Sequence, residues 1–140
     1  MKDTLVREVM TPCVEVLRHD AKVSDARKHI CDGLFHHLPV VSPDGVLLGL
    51  VSSSDLVALS FDAYGVDGAR MDAVIDQQFT LKEVMRTELV TVGPDDKLSC
   101  AAELLSEGSL HALPVVDRGR HFVGLVTSAD LIAYLLSELR

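Results

Sequence analysis

The pattern Gly49-x-x-Ser52-x-x-Asp55 recurs 75 positions later as Gly124-x-x-Thr127-x-x-Asp130. Each copy places a glycine, a hydroxyl and a carboxylate between an apolar run suited to a strand and a stretch suited to a helix. Two chemistries fit this spacing. A Ser or Thr followed three residues later by Asp, ahead of a helix, is a capping box in which side chains satisfy the first N–H groups. Alternatively, the glycine lets a ligand approach the backbone. The hydroxyl and the helix N–H groups then hold an anion, and the carboxylate accepts hydrogen bonds from a ribose diol. One copy alone favours capping. Recurrence of the motif, each time after a His-x-Leu-Pro-Val-Val run, favours a binding site.

Histidine is the second candidate group. His36 and His111 head the two Leu-Pro-Val-Val runs. Each is readable as a half-exposed side chain with a satisfied hydrogen bond, or as a phosphate contact that weakens as rising pH removes the imidazolium. A metal site using His36, His37, His111 or His121 lacks the tight ligand spacing such a site needs, so no metal is expected.

The elements that must position these groups are themselves duplicated. Glu8-Val9-Met10 aligns with Glu83-Val84-Met85, and about 20 of about 50 positions from Glu8 to Ala58 are identical without a gap. Two copies are too few for a solenoid, and a pair about a pseudo-two-fold axis with a shared cleft is expected. Each copy reads as strand, helix, strand, strand, helix. The first strands are Val14 to Leu17 and Leu89 to Val92. Ser24 and Ser99 are predicted helix N-caps, and Gly33 and Gly108 are predicted stops. The strands Leu38–Val41 and Leu113–Val116 follow, then turns at Pro43-Asp44-Gly45 and Arg118-Gly119-Arg120. Val46–Val51 and Phe122–Val126 are continuous apolar strands. The closing helices run from Asp55 to about Phe61 and from Asp130 to about Leu139. The second is apolar almost all round, which calls for a partner beyond its own sheet. The expected division is 1–61 and 80–140 for the repeats. Residues 62–79 form a linker, with an irregular loop from Asp62 to Gly68 and a helix over Ala69 to Gln78.

Composition narrows the function. At 140 residues and 48% apolar, the chain can bury a core of Val, Leu, Ile and Ala without any Trp. A net charge of −8 argues against a general nucleic-acid or anionic-membrane surface. No apolar run is long enough to span a membrane, and Met1-Lys2-Asp3-Thr4 opens no signal segment. Cys13, Cys31 and Cys100 are odd in number, form no C-x-x-C pair and are not duplicated, as expected of thiols in a reducing cytoplasm.

Together these residues resemble a tandem pair of CBS domains, the repeat named after cystathionine β-synthase. Val9-Met10-Thr11-Pro12 and Val84-Met85-Arg86-Thr87 open the units, and the Leu-Pro-Val-Val strand and Gly-x-x-Ser/Thr-x-x-Asp junction complete the resemblance from about Leu5 to Leu136. The resemblance implies an α/β (α+β) fold of two βαββα repeats with two related clefts. It also implies flat homodimers and adenosine-containing ligands such as AMP, ADP, ATP or S-adenosylmethionine.

By the same resemblance, Asp55 and Asp130 hold ribose hydroxyls, and Ser52 and Thr127 lie near phosphate or ribose. The segments Val14 to Val16 and Leu89 to Thr91 read the adenine edge through their backbone, and Val40 and Val115 pack on the base. His36 and His111 face phosphate, with His111 serving the Asp55 site and His36 the Asp130 site. Ser54 and Ala129 stand where many members carry Arg or Lys, and His37 and Ala112 where an Arg often follows the histidine. These departures favour a monophosphate, a weakly anionic or cationic adenosyl ligand, or an empty site in one half over tightly held ATP. The Thr127/Asp130 site is expected to be the better one, because Leu89-Val90-Thr91 is apolar where the first repeat carries Glu15.

No Ser-His-Asp context, P-loop or metal motif supports an enzyme. The sequence therefore predicts a non-catalytic sensor that needs no cofactor, binds itself and an adenosine-containing ligand, and signals to an effector protein. The alternative is a structural dimerisation module with degenerate clefts.

Overall fold

The computed structural model describes residues 3–12, 15–31, 36–60 and 68–140. Val14, Gly33 and residues 61–67, which hold most of the expected Asp62 to Gly68 loop, lie outside them. The chain divides into two compact units, one of residues 15–89 and one of residues 1–14 with 90–140.

The 15–89 unit holds a three-stranded sheet. β1 (Leu17–Arg18) runs parallel to β2 (His37–Val41), which is antiparallel to β3 (Leu47–Ser52). Around the sheet are α2 (Val23–Cys31), α3 (Ser53–Ser60), α4 (Gly68–Gln78) and the single turn α5 (Leu81–Val84). Leu17, Val23, Leu38, Val40, Val51, Leu56, Ile75 and Leu81 form its core. The linker helix is more than a spacer. Asp76 of α4 accepts hydrogen bonds from Ser24 N–H and Oγ at 2.9 and 2.6 Å, and Asp72 pairs with Arg27 at 2.9 Å.

The other unit holds α1 (Val6–Val9), α6 (Leu98–Ser106), the antiparallel pair β4 (Ala112–Val116) and β5 (Phe122–Thr127), and α7 (Ser128–Leu139). Its core includes Val6, Val92, Leu98, Ala101, Leu105, Leu113, Val115 and Val126. The two hairpins repeat each other in register. His37 faces Ser52 as Ala112 faces Thr127, and both ladders slip at the same point, between Val40 and Val41 and between Val115 and Val116. Gly45 and Gly108 take positive φ, as the turn and the helix stop require. In the second hairpin turn the positive φ falls on Arg120, and Asp117 accepts hydrogen bonds from the N–H groups of Gly119 and His121. The His121 N–H is the main reason its carboxyl is held below the ordinary range.

Repeat and compact unit do not coincide. Val6, in the head of the first repeat, is fully buried among residues of the second. Leu81, in the head of the second repeat, is 3% exposed in the core formed by the first. Each repeat thus supplies the opening turn of the other's core.

Four local expectations are corrected, the first being the opening strand, expected over Val14 to Leu17 and found at Leu17–Arg18. Ser24 is not an N-cap: α2 begins one residue earlier, Lys22 N–H donates to the Asp25 carboxylate, and the Ser24 hydroxyl is spent on Asp76. Ser99 lies inside α6, whose N-cap is Lys97, because Leu98 is drawn into the core and starts the helix sooner. Leu89–Val92 does not form a strand and narrows to one parallel bridge, Val92 to Val115, just before a turn at Pro94-Asp95.

Candidate functional site

Each Gly-x-x-Ser/Thr-x-x-Asp junction is built from the last residues of a hairpin strand and the first turn of the following helix. At the first, Ser52 N–H and Oγ donate to Asp55 Oδ2 at 3.0 and 2.8 Å, and Asp55 N–H donates back to Ser52 Oγ at 3.3 Å. At the second, Thr127 N–H donates to Asp130 Oδ2 at 2.9 Å and Asp130 N–H returns to Thr127 Oγ1 at 3.1 Å. Both are therefore capping boxes, with α3 and α7 starting two residues before the motif Asp.

Capping uses one oxygen of each carboxylate. Asp130 Oδ1 accepts a hydrogen bond from Thr11 Oγ1 at 3.1 Å, and Asp55 Oδ1 accepts one from Arg86 Nε at 3.4 Å. Thr11 and Arg86 stand in the opening motifs, to which the sequence attaches no site role. Their separation by the 75-residue repeat length was the available signal, marking a position where the two copies differ in chemistry.

Main-chain bridges hold both residues there. Thr11 exchanges N–H···O bonds of 2.8 and 3.1 Å with Leu125, and Arg86 exchanges bonds of 2.9 and 3.0 Å with Leu50. The preceding glycines make this approach possible. A Cβ at Gly49 would stand 2.9 Å from the Arg86 carbonyl oxygen, and one at Gly124 2.9 Å from that of Thr11, with the Met85 and Met10 sulfurs at 2.6 and 3.0 Å. The space expected to admit a ligand beside these glycines is filled by the Met85 and Met10 side chains and the backbone that follows them.

His36 and His111 sit next to the junctions with exposed side chains, and their carbonyls accept the N–H groups of Ser53 and Ser128 at 2.9 and 3.1 Å. Val40 and Val115 are buried in the cores of their units. Val16 is exposed ahead of β1, Leu89 and Thr91 are half-buried outside any strand, and Val14 is not among the described residues. Among the described residues, no cluster of His, Cys, Asp or Glu could hold a metal ion, and no helix is long and apolar enough to cross a membrane.

The duplicated junction, hairpin register and opening turns match a known family model, the CBS domain, over residues 6–62 and again over 81–137. The chain belongs to the CBS domain family. Among relatives of this CBS pair is a homoserine O-acetyltransferase of Methanohalobium evestigatum, 30% identical over 141 residues, covering 99% of this chain and 25% of that protein. An L-aspartate semialdehyde sulfurtransferase of Methanosarcina acetivorans is 30% identical over 96% of this chain and 24% of its own length. The chain thus spans about a quarter of these curated relatives.

Among the solved structures that match nearly end to end are two complexes. CBSX2 in complex with AMP is 26% identical, with 97% of this chain and 98% of that one covered and a TM-score of 0.81. The CBS domain pair of protein MJ0100, in complex with 5′-methylthioadenosine and S-adenosyl-L-methionine, is 26% identical with 98% of each chain covered and a TM-score of 0.73.

Gly124→Ala should destabilise the protein by about 1–3 kcal/mol, the usual cost of forcing a methyl into a filled space. Urea unfolding checks this, and an unchanged midpoint would show that the Thr11 backbone is not held against the strand.

Proposed function

We propose that this chain is a ligand-sensing module that binds adenosine-containing molecules at its two strand-to-helix junctions. The observation that carries the reading is its likeness, over 97% of its length, to a CBS pair crystallised with AMP. At each junction, the carboxylate oxygen not used in capping is the acceptor for ribose hydroxyls, on Asp55 and on Asp130. The first-turn N–H groups and the hydroxyls of Ser52 and Thr127 lie beside them, and His36 and His111 expose imidazoles that can contact a ligand. The candidate ligands are AMP, ADP, ATP, 5′-methylthioadenosine and S-adenosylmethionine. Signalling needs different affinities for two conformations, read by an effector protein, since equal binding shifts nothing. The module acts by binding rather than catalysis, and the exposed free thiol of Cys100 suits a reducing, cytoplasmic setting.

Asp130→Ala tests the assignment. Loss of one charge-assisted hydrogen bond is worth roughly 1.5–3 kcal/mol, or about 10- to 150-fold in affinity. Calorimetric titration with the candidate ligands should show that loss. A variant that loses about 0.5–2 kcal/mol of stability but binds every ligand as tightly as wild type would leave Asp130 as a cap alone.

A second feature supports self-association. α7 exposes Ile132, Leu135, Leu136 and Leu139, at 66, 51, 47 and 75%. An apolar helix face of this size calls for cover, and we propose a second copy of the chain. Wild-type protein should sediment as a dimer at micromolar concentration, and Leu135→Asp with Leu139→Asp should yield monomer. A wild-type monomer would remove the homodimer from the account, and with it the alternative of a purely structural dimerisation module.

A further inference from the structure

The two junctions share a backbone and differ in one charge. Positions 11 and 86 are equivalent, and each is pinned by a reciprocal pair of main-chain hydrogen bonds to the residue after the motif glycine. Threonine at the first gives Asp130 a neutral hydroxyl. Arginine at the second gives Asp55 a guanidinium. Among the described residues, no cation lies within ion-pairing distance of Asp130. One junction is therefore locally neutral as a pair, and the other keeps an unneutralised carboxylate.

The Arg86–Asp55 contact is poorly arranged as a stabilising device. It uses Nε alone, and the Arg86 side chain is 65% exposed, so solvent screening leaves it little weight in folding. Asp55 is only 16% exposed and already held by Ser52. The carboxylate thus orients the guanidinium more than the guanidinium steadies the carboxylate. Among the described residues, neither terminal nitrogen of Arg86 has a protein acceptor. A planar guanidinium fixed at Nε, with its other N–H donors toward solvent, is suited to two-point recognition of a phosphate. It also restores the positive charge that Ser54 leaves missing from this junction. A ribose held on Asp55 carries its 5′-substituent one carbon away, within reach of such a group. At Asp130 the same substituent meets no guanidinium, and among the described residues no cation pairs with the carboxylate, which disfavours phosphate and favours a neutral or positive group.

We propose that the two junctions select adenosine ligands by the charge of the 5′-substituent, with Arg86 and Thr11 as the specificity-determining residues. The Asp55–Arg86 junction takes a nucleoside 5′-phosphate. The Asp130–Thr11 junction takes an uncharged thioether or a cationic sulfonium. This rests on the adenosine-binding reading above and gives each of its sites a ligand class.

The test is calorimetric titration of wild type, Arg86→Gln and Thr11→Arg with AMP and with 5′-methylthioadenosine, alongside thermal melts without ligand. Arg86→Gln should weaken AMP about 10-fold or more and leave 5′-methylthioadenosine within about two-fold, a split that a merely structural role for Arg86 would not produce. Thr11→Arg should raise the AMP stoichiometry from one to two per chain, and it carries the test alone if Arg86→Gln fails to fold. Equal weakening of both ligands, unchanged AMP binding, or tighter AMP binding in Arg86→Gln would overturn the proposal while leaving the adenosine reading in place. So would an AMP stoichiometry that stays at one in Thr11→Arg. A wild type that binds neither ligand at millimolar concentration would overturn both.

Discussion

Two short backbone bridges set the geometry of both motif junctions, Thr11 to Leu125 and Arg86 to Leu50, each made of two reciprocal hydrogen bonds. They require glycine at 49 and 124, since a side chain there would meet a carbonyl oxygen at 2.9 Å. They are anchored a few residues upstream by Val6 and Leu81, each buried in a core otherwise supplied by the other repeat. Losing a buried aliphatic side chain of this kind costs about 2–5 kcal/mol, a large fraction of the stability of a small domain. The exchange therefore makes the repeats energetically dependent on each other, and neither sequence half contains a whole core.

The same bridges decide what surrounds each motif carboxylate. Capping accounts for Oδ2 of Asp55 and Asp130 and would be present in any helix starting this way. The surroundings of Oδ1 come from the exchanged segment, so the residue at 11 or 86 sets the charge of the junction without altering its geometry. A duplicated pair can in this way diverge in junction chemistry while keeping one fold. Capping takes one oxygen of each carboxylate and leaves the other to the exchanged segment.

Much of this was legible in the sequence because it depends on local pattern. The Leu-Pro-Val-Val runs, the apolar strands before each junction, Gly45 and Gly108 at positive φ and the linker helix over 68–78 follow from periodicity and turn chemistry. What escaped was set by tertiary contact. Ser24 looked like a cap until Asp76 of the linker helix claimed its hydroxyl. Leu89–Val92 had the composition of a strand, but only Val92 finds a ladder partner. The glycines had a ready local explanation in ligand access, whereas their neighbours prove to be the Met85-Arg86 and Met10-Thr11 segments that open the other repeat. Thr11 and Arg86 lie in plain view within the opening motifs, yet nothing near them in sequence shows that a carboxylate more than 30 residues away will receive them.

Native-state hydrogen exchange at the amides of Thr11, Leu50, Arg86 and Leu125 tests the exchange of segments most directly. If both bridges belong to the cores they complete, all four amides should exchange only through global unfolding, within about 1 kcal/mol of the most protected core strands. Exchange of Thr11 and Arg86 at the rate of exposed loop amides, with Val51 and Val126 still protected, would contradict the account.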